Sequence, residues 1–122
     1  MAKKILIVDD EPNIALSVEF LMKREGYEVA VATDGQEALD MLPKVKPDLM
    51  ILDVMMPRKN GFEVCSDVRS NPNFADLPVL MLTAKGREAE MKKGLSLGAN
   101  AYITKPFSTH KLVAQVNELL NP

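Results

Sequence analysis

Four short apolar runs in this chain each give way at once to a residue that can hold charge or donate to an anion. Ile5-Leu6-Ile7-Val8 leads into Asp9-Asp10, and Leu49-Met50-Ile51-Leu52 leads into Asp53. Val79-Leu80-Met81-Leu82 leads into Thr83, and Tyr102-Ile103-Thr104 leads into Lys105-Pro106. Short Val/Ile/Leu runs bounded by turn residues read as buried strands. In an open parallel sheet the C-terminal strand ends share one edge, and ligands bind in the crevice there. The pattern therefore gathers three carboxylates, a hydroxyl and an ammonium in one small space. That set suits a divalent cation and a phosphoryl group.

The segments between the runs read as helices. Pro12 fits a first helical position, where its missing N–H costs nothing. Ile14, Val18, Leu21 and Met22 follow as one stripe at helical spacing, and Gly26 fits the position just past the end. Residues 28–32 alternate as a further strand. Asp34 is placed to cap a short helix carrying Ala38, Leu39 and Leu42, which Pro43 is expected to stop. Lys59, Asn60 and Gly61 shape the turn into a third helix through Phe62, Cys65 and Val68. The remaining strands are predicted over residues 5–8, 49–52, 78–82 and 102–104. A fourth helix over 87–97 has a thin stripe, Met91 and Leu95, and Gly94 inside it costs about 1 kcal/mol relative to alanine. Ser108 caps the last helix, with Leu112, Val113, Val116, Leu119 and Leu120 on its apolar face. Five alternations of strand and helix predict an α/β fold, a parallel sheet with right-handed crossovers and helices on both faces.

Size and charge narrow the function. The 122 residues suit one domain over 1–122, and a net charge of −2 argues against a nucleic-acid surface. The apolar runs are too short to span a bilayer, and residues 1–5 pass into a strand without a signal-peptide cleavage region. These features lead to the expectation of a cytoplasmic domain with no membrane contact. The single cysteine, Cys65, excludes an internal disulfide and reads as a core thiol.

LIVDDEP, LMILDVMMPRKNGFE, VLMLTAK and GANAYITKPF, in this order and spacing, resemble a bacterial two-component response-regulator receiver domain, of the single-domain chemotaxis-regulator type. The resemblance covers essentially the whole chain. It implies a flavodoxin-like, doubly wound (βα)5 fold with strand order 2-1-3-4-5. It also implies a phosphorelay role: a phosphoryl group passes from a sensor histidine kinase or histidine phosphotransfer protein to an aspartate. The domain would catalyse only its own phosphorylation and dephosphorylation, and would not be an enzyme in the wider sense. A downstream protein target or output domain would read the change, and the chain would be a monomer or a weak phosphorylation-dependent dimer. The chain reads equally as a stand-alone regulator or as a receiver cut from a longer protein.

Carried over residue by residue, the resemblance makes Asp53 the phosphoacceptor. A carboxylate is ionised at neutral pH and needs no general base to attack phosphorus. Mg²⁺, with Mn²⁺ as substitute, would be held by Asp10, Asp53 and the backbone carbonyl of Met55, with Asp9 acting through water; Mg²⁺ prefers hard oxygen ligands and keeps several waters. Asp9 and Asp10 also lie where helix caps occur, a role compatible with metal binding. Two carboxylates about 4 Å apart repel by about 4 kcal/mol at an effective dielectric of 20, so a cation would stabilise such an edge. Lys105 would neutralise the incoming phosphoryl oxygens, aimed by a cis peptide bond to Pro106. Thr83 and Tyr102 would form the switch, with Ala84 offering its N–H and the surface of the fourth helix, fifth strand and fifth helix as output. Met55 and Lys85 occupy the positions that tune phosphate lifetime; a thioether cannot orient an attacking water as an amide can, so slow loss is expected. His110 is expected to be a surface histidine, not a phosphodonor.

Three other readings fit less well. A haloacid-dehalogenase-type phosphatase uses similar groups, but its nucleophile follows the first strand with another aspartate two residues on; here Glu11 follows Asp9 at that spacing, and there is no cap-domain sequence. A flavin or nucleotide module needs Gly or Ser/Thr phosphate donors in the first loop, where Asp9-Asp10-Glu11 would repel phosphate. A phosphorylation-independent receiver-like scaffold would not need the complete set of site residues.

Overall fold

The computed structural model describes residues 2–84 and 88–121. Five strands and five helices alternate: β1 (Lys4–Val8), α1 (Pro12–Arg24), β2 (Glu28–Ala32), α2 (Gly35–Val45), β3 (Leu49–Asp53), α3 (Gly61–Ser70), β4 (Val79–Ala84), α4 (Glu88–Ser96), β5 (Ala101–Lys105) and α5 (Thr109–Leu120). The strands form one parallel sheet in the order β2-β1-β3-β4-β5. This is the flavodoxin-like arrangement that the family resemblance implies. Its strand order reverses between β1 and β3, the switch point at which such sheets bind ligands.

Period two along each strand divides the core into two layers. Ile5, Ile7, Leu49, Ile51, Leu80, Leu82 and Ile103 pack under α1 and α5, against Val18, Leu21, Met22, Leu112 and Val116. Leu6, Val8, Met50, Leu52, Val79 and Met81 face the other way, against Ala38 and Leu42 of α2 and Val64, Cys65 and Val68 of α3. The central strands β1 and β3 are covered on both sides, which explains why their sequences are apolar without alternation. Cys65 is buried and free, as expected of a core thiol.

The helix termini follow local chemistry. Asp34 caps α2 by accepting from Glu37 N, and Asn60 and Glu63 form a reciprocal capping box at α3. Gly26, at φ +93, takes the left-handed turn after α1.

Several predicted limits shift by one to three residues, and two of the shifts have a clear cause. Pro43 does not stop α2, which runs to Val45 and closes through Lys46 N donating to Leu42 O at 2.9 Å. A proline this close to the end removes one donor, and the last turn still forms from the donors after it. β4 extends beyond Leu82 to Ala84, because Thr83 and Ala84 pair with Thr104 and Lys105 of β5. Tertiary pairing supplies there what the local pattern does not show. In α4 the predicted stripe is not the contact: Leu95 is exposed, and Gly94 is the buried residue. A Cβ on Gly94 would stand 2.5 Å from Met81 Sδ, so the helix backbone itself rests on the sheet.

Candidate functional site: an acidic pocket at the strand ends

The alternation that builds the core also aims the charges. Asp9 continues the series Ile5, Ile7; Asp53 continues Leu49, Ile51; and Lys105 continues Ile103. The register pairs Ile7 with Ile51, and Asp53 with Leu82, itself paired with Ile103. The three side chains therefore leave the same face of the sheet at the same edge. Lys105 Nζ stands 3.3 Å from Asp9 Oδ2, 3.2 Å from Asp53 Oδ1 and 3.3 Å from Glu11 Oε1. Asp10 is exposed beside them, and single carboxylate oxygens of Asp9, Asp10 and Asp53 lie within 4.8 Å of one another. The Lys105–Pro106 peptide bond is cis.

Among the described residues, the Lys105 ammonium is paired with three acids of this pocket, Asp9, Glu11 and Asp53, and Asp10 stands beside them. Asp9 and Asp53 are almost fully buried, at 1% and 4% exposure, so their ionised forms lose solvation. Burial, followed by the negative charge of Asp9, raises the Asp53 carboxyl from 3.8 to about 6, against the opposing pull of Lys105. Burial likewise raises Asp9 above the usual carboxylate range, although Glu11 N and Lys105 act to lower it. For Lys105 burial favours the neutral amine, but the charges of Asp53 and Asp9 outweigh it and its pKa rises. The ammonium thus stays protonated while the carboxylates remain under-neutralised. Clustered hard oxygens of this kind, two of the carboxylates buried and Asp10 open to water beside them, fit a hydrated divalent cation.

The capping role open to Asp9 and Asp10 is not how α1 begins. Its N-cap is Glu11, without a side-chain cap, and Asp9 Oδ1 instead accepts from Glu11 N at 2.9 Å. That bond turns the chain out of β1 and fixes the Asp9 carboxylate over the edge.

The chain matches the Response regulator receiver domain family over residues 5–117. It belongs to that family. This receiver domain of two-component signalling is similar to a putative response regulator from Chloroflexus aurantiacus J-10-fl, at 39% identity over 100% of both chains and TM-score 0.97. It is similar to the chemotaxis protein CheY4 of Vibrio cholerae, at 35% identity over 98% of this chain and 100% of that one, TM-score 0.92. A third relative is the signal receiver domain of a signal transduction histidine kinase from Syntrophus aciditrophicus, at 34% identity over 98% of this chain and 90% of that one, TM-score 0.91. The acidic pocket of Asp9, Asp10 and Asp53 fits the phosphoacceptor site of such a domain.

The remaining residues singled out in the sequence fall around this receiver pocket. Thr83 is one position beyond the Asp53–Leu82 pairing on β4; it is 1% exposed, and its Oγ1 has no hydrogen-bond partner among the described residues. Tyr102 pairs with Met81 in register, on the same side of the sheet as Thr83, with its ring partly exposed. Ala84 ends β4 and is exposed. Met55 projects into solvent, at 61% exposure, in the turn after Val54. Lys85 lies outside the described residues. His110 is exposed in the first turn of α5. Glu11 is an acidic partner of Lys105 that motif reasoning passes over; its position directly after the aspartate pair is the available signal. No helix among the described residues is long and apolar enough to cross a membrane.

Proposed function

We propose that Asp53 is the phosphoacceptor of this receiver domain and that the acidic pocket works with bound Mg²⁺. The observation that carries this reading is the position of Lys105, 3.2 Å from Asp53 Oδ1 and 3.3 Å from Asp9 Oδ2 at the open strand edge. Phosphoryl transfer depends mainly on positioning and on neutralising charge, and both are available here. An Asp53 oxygen forms a bond to phosphorus as the P–N bond of a phosphohistidine breaks, and the departing imidazole nitrogen takes up a proton from solvent. Lys105 pairs with the phosphoryl oxygens as they arrive. Asp10 and Asp53, with the Met55 carbonyl and a water-mediated Asp9, are the residues that would hold the cation. When bound, Mg²⁺ supplies positive charge that screens the acids from one another and from the phosphoryl group.

Thr83 gives the phosphorylated state a readout. Its buried hydroxyl, free of other partners among the described residues, can donate to a phosphoryl oxygen on Asp53. A shift of Thr83 toward the edge empties space on the side of the sheet that Tyr102 shares, and the ring can turn inward. The surface of α4, β5 and α5 then presents a different face to a target or output domain. The phosphodonor is a sensor histidine kinase or a histidine phosphotransfer protein. The Met55 thioether leaves the attacking water without a hydrogen-bonding guide, so the acyl phosphate is long-lived.

Intact mass after incubation with acetyl phosphate tests the assignment. Wild type gains one phosphoryl group only with Mg²⁺, and Asp53→Asn gains none. Equal labelling of Asp53→Asn, or labelling in excess EDTA, would refute it.

A further inference from the structure

The loop after Asp53 is secured at Val54, whose N–H donates to Leu82 O at 3.2 Å and whose carbonyl accepts from Gly61 N at 2.8 Å. Residues 55–60 bulge away between those two bonds. Lys59 N donates to Pro57 O at 2.7 Å, a contact inside the loop. The attachment to α2 comes from two neighbouring features. Arg58 has φ +66, a left-handed conformation uncommon for a residue with a side chain, and its Nη1 donates to Asp34 Oδ2 at 3.1 Å. Asp34 is buried, and its other oxygen accepts from Glu37 N at 2.8 Å, so one carboxylate caps α2 and holds Arg58. Gly35, next in the chain, has no room for a side chain. A Cβ there would lie 2.3 Å from Lys59 O, 2.7 Å from Lys59 Cβ and 2.7 Å from Val64 Cγ2.

The loop backbone thus rests directly on the start of α2; the Lys59 N–Pro57 O bond closes the turn at Arg58, and the ion pair ties that turn to α2. We infer that Asp34, Gly35 and Arg58 form a brace that presets the loop after Asp53 and thereby sets the affinity of the acidic pocket for its divalent cation. The inference rests on the proposed role of the Met55 carbonyl, which lies in this loop. Ordering a ligand before binding removes the entropy that binding would otherwise have to overcome. All three are positioning residues; Arg58 and Gly35 act through the loop, outside the acid cluster itself.

The test combines two readouts on wild type, Arg58→Ala, Arg58→Lys and Gly35→Ala. One is the Mg²⁺ concentration giving half the maximal thermal shift. The other is amide hydrogen exchange over residues 55–60 in metal-free protein. Arg58→Ala raises the half-saturating Mg²⁺ by roughly fivefold, the ratio equivalent to about 1 kcal/mol for an ion pair with one exposed partner; Gly35→Ala raises it as well, and both speed exchange in the loop. Arg58→Lys falls between wild type and Arg58→Ala. Gly35→Ala also presses on Val64 Cγ2 of α3 and lowers the melting temperature through packing, so only the Mg²⁺ midpoint and the loop exchange report on the brace. Wild-type half-saturation in Arg58→Ala and Gly35→Ala overturns the brace, even if both variants melt lower. Absence of any Mg²⁺ shift in wild type instead overturns the proposed cation reading on which the brace depends.

Discussion

As the proposed phosphoacceptor, Asp53 carries opposing demands in one side chain: attack on phosphorus needs it ionised, and it is buried where ionisation is costly. Its carboxyl is raised from 3.8 to about 6 by burial and by Asp9, so the native state holds a proton that the unfolded chain has released between those values. Stability from this group is therefore fully present below 3.8 and is lost as pH rises through about 6, by on the order of 3 kcal/mol in all. Asp9, raised in the same direction, adds to the trend. In EDTA, the domain should be measurably more resistant to urea at pH 5 than at pH 7.5. Asp53→Asn should remove most of that slope and stabilise the metal-free domain at pH 7.5; an unchanged slope would show that the buried charge is relieved by other means. These residues were legible in the sequence because each is the first polar residue after an apolar run, and strand period fixes which face it leaves. The Arg58–Asp34 pair was not, because it joins two loops whose approach depends on how α2 and α3 pack.

The elements differ in how firmly they are held. α1, α2, α3 and α5 each bury several side chains, and their apolar stripes announced them in the sequence. α4 buries Gly94, and its lysine at position 93 lies over the half-buried ring of Phe62, 4.7 Å from the centroid. The sequence showed the thin stripe and the cost of Gly94 but not its use, since a close backbone approach leaves no mark in hydrophobic periodicity. Gly94→Ala separates propensity from packing. Alanine gains about 1 kcal/mol of helix propensity, while overpacking against Met81 costs about 1–3 kcal/mol. The expected outcome is a net loss of roughly 1 kcal/mol in urea unfolding, by these same terms. A more stable variant would show that α4 is not seated on Met81.

At the scale of the whole molecule, fold and site are one consequence of strand order. The reversal between β1 and β3 sets Asp9 and Asp53 side by side, and β4 and β5 bring Thr83 and Lys105 from the same flank. The alternation of strands and helices made the parallel sheet readable from the sequence, the family resemblance implied its strand order, and the distances within the edge came only from the folded chain. Repulsion among the acids is carried by the entire two-layer core, so cation binding should register as global stability. Mg²⁺ should raise the melting temperature in a concentration-dependent way, as for any ligand that binds only the native state. Asp10→Ala should reduce that gain; a full gain in Asp10→Ala would remove Asp10 from the ligand set.

Gly94 on Met81 has one more consequence. Side chains that interlock as ridges in grooves must climb past one another before a helix can shift. A smooth stretch of backbone lying on a pliable thioether has no such teeth. α4 meets the sheet there as a bearing meets its race, and small displacements along that contact encounter little friction. With Asp53 as the proposed phosphoacceptor, the expected pace of any change at the α4 surface is that of events at Asp53, not that of side chains repacking under the helix.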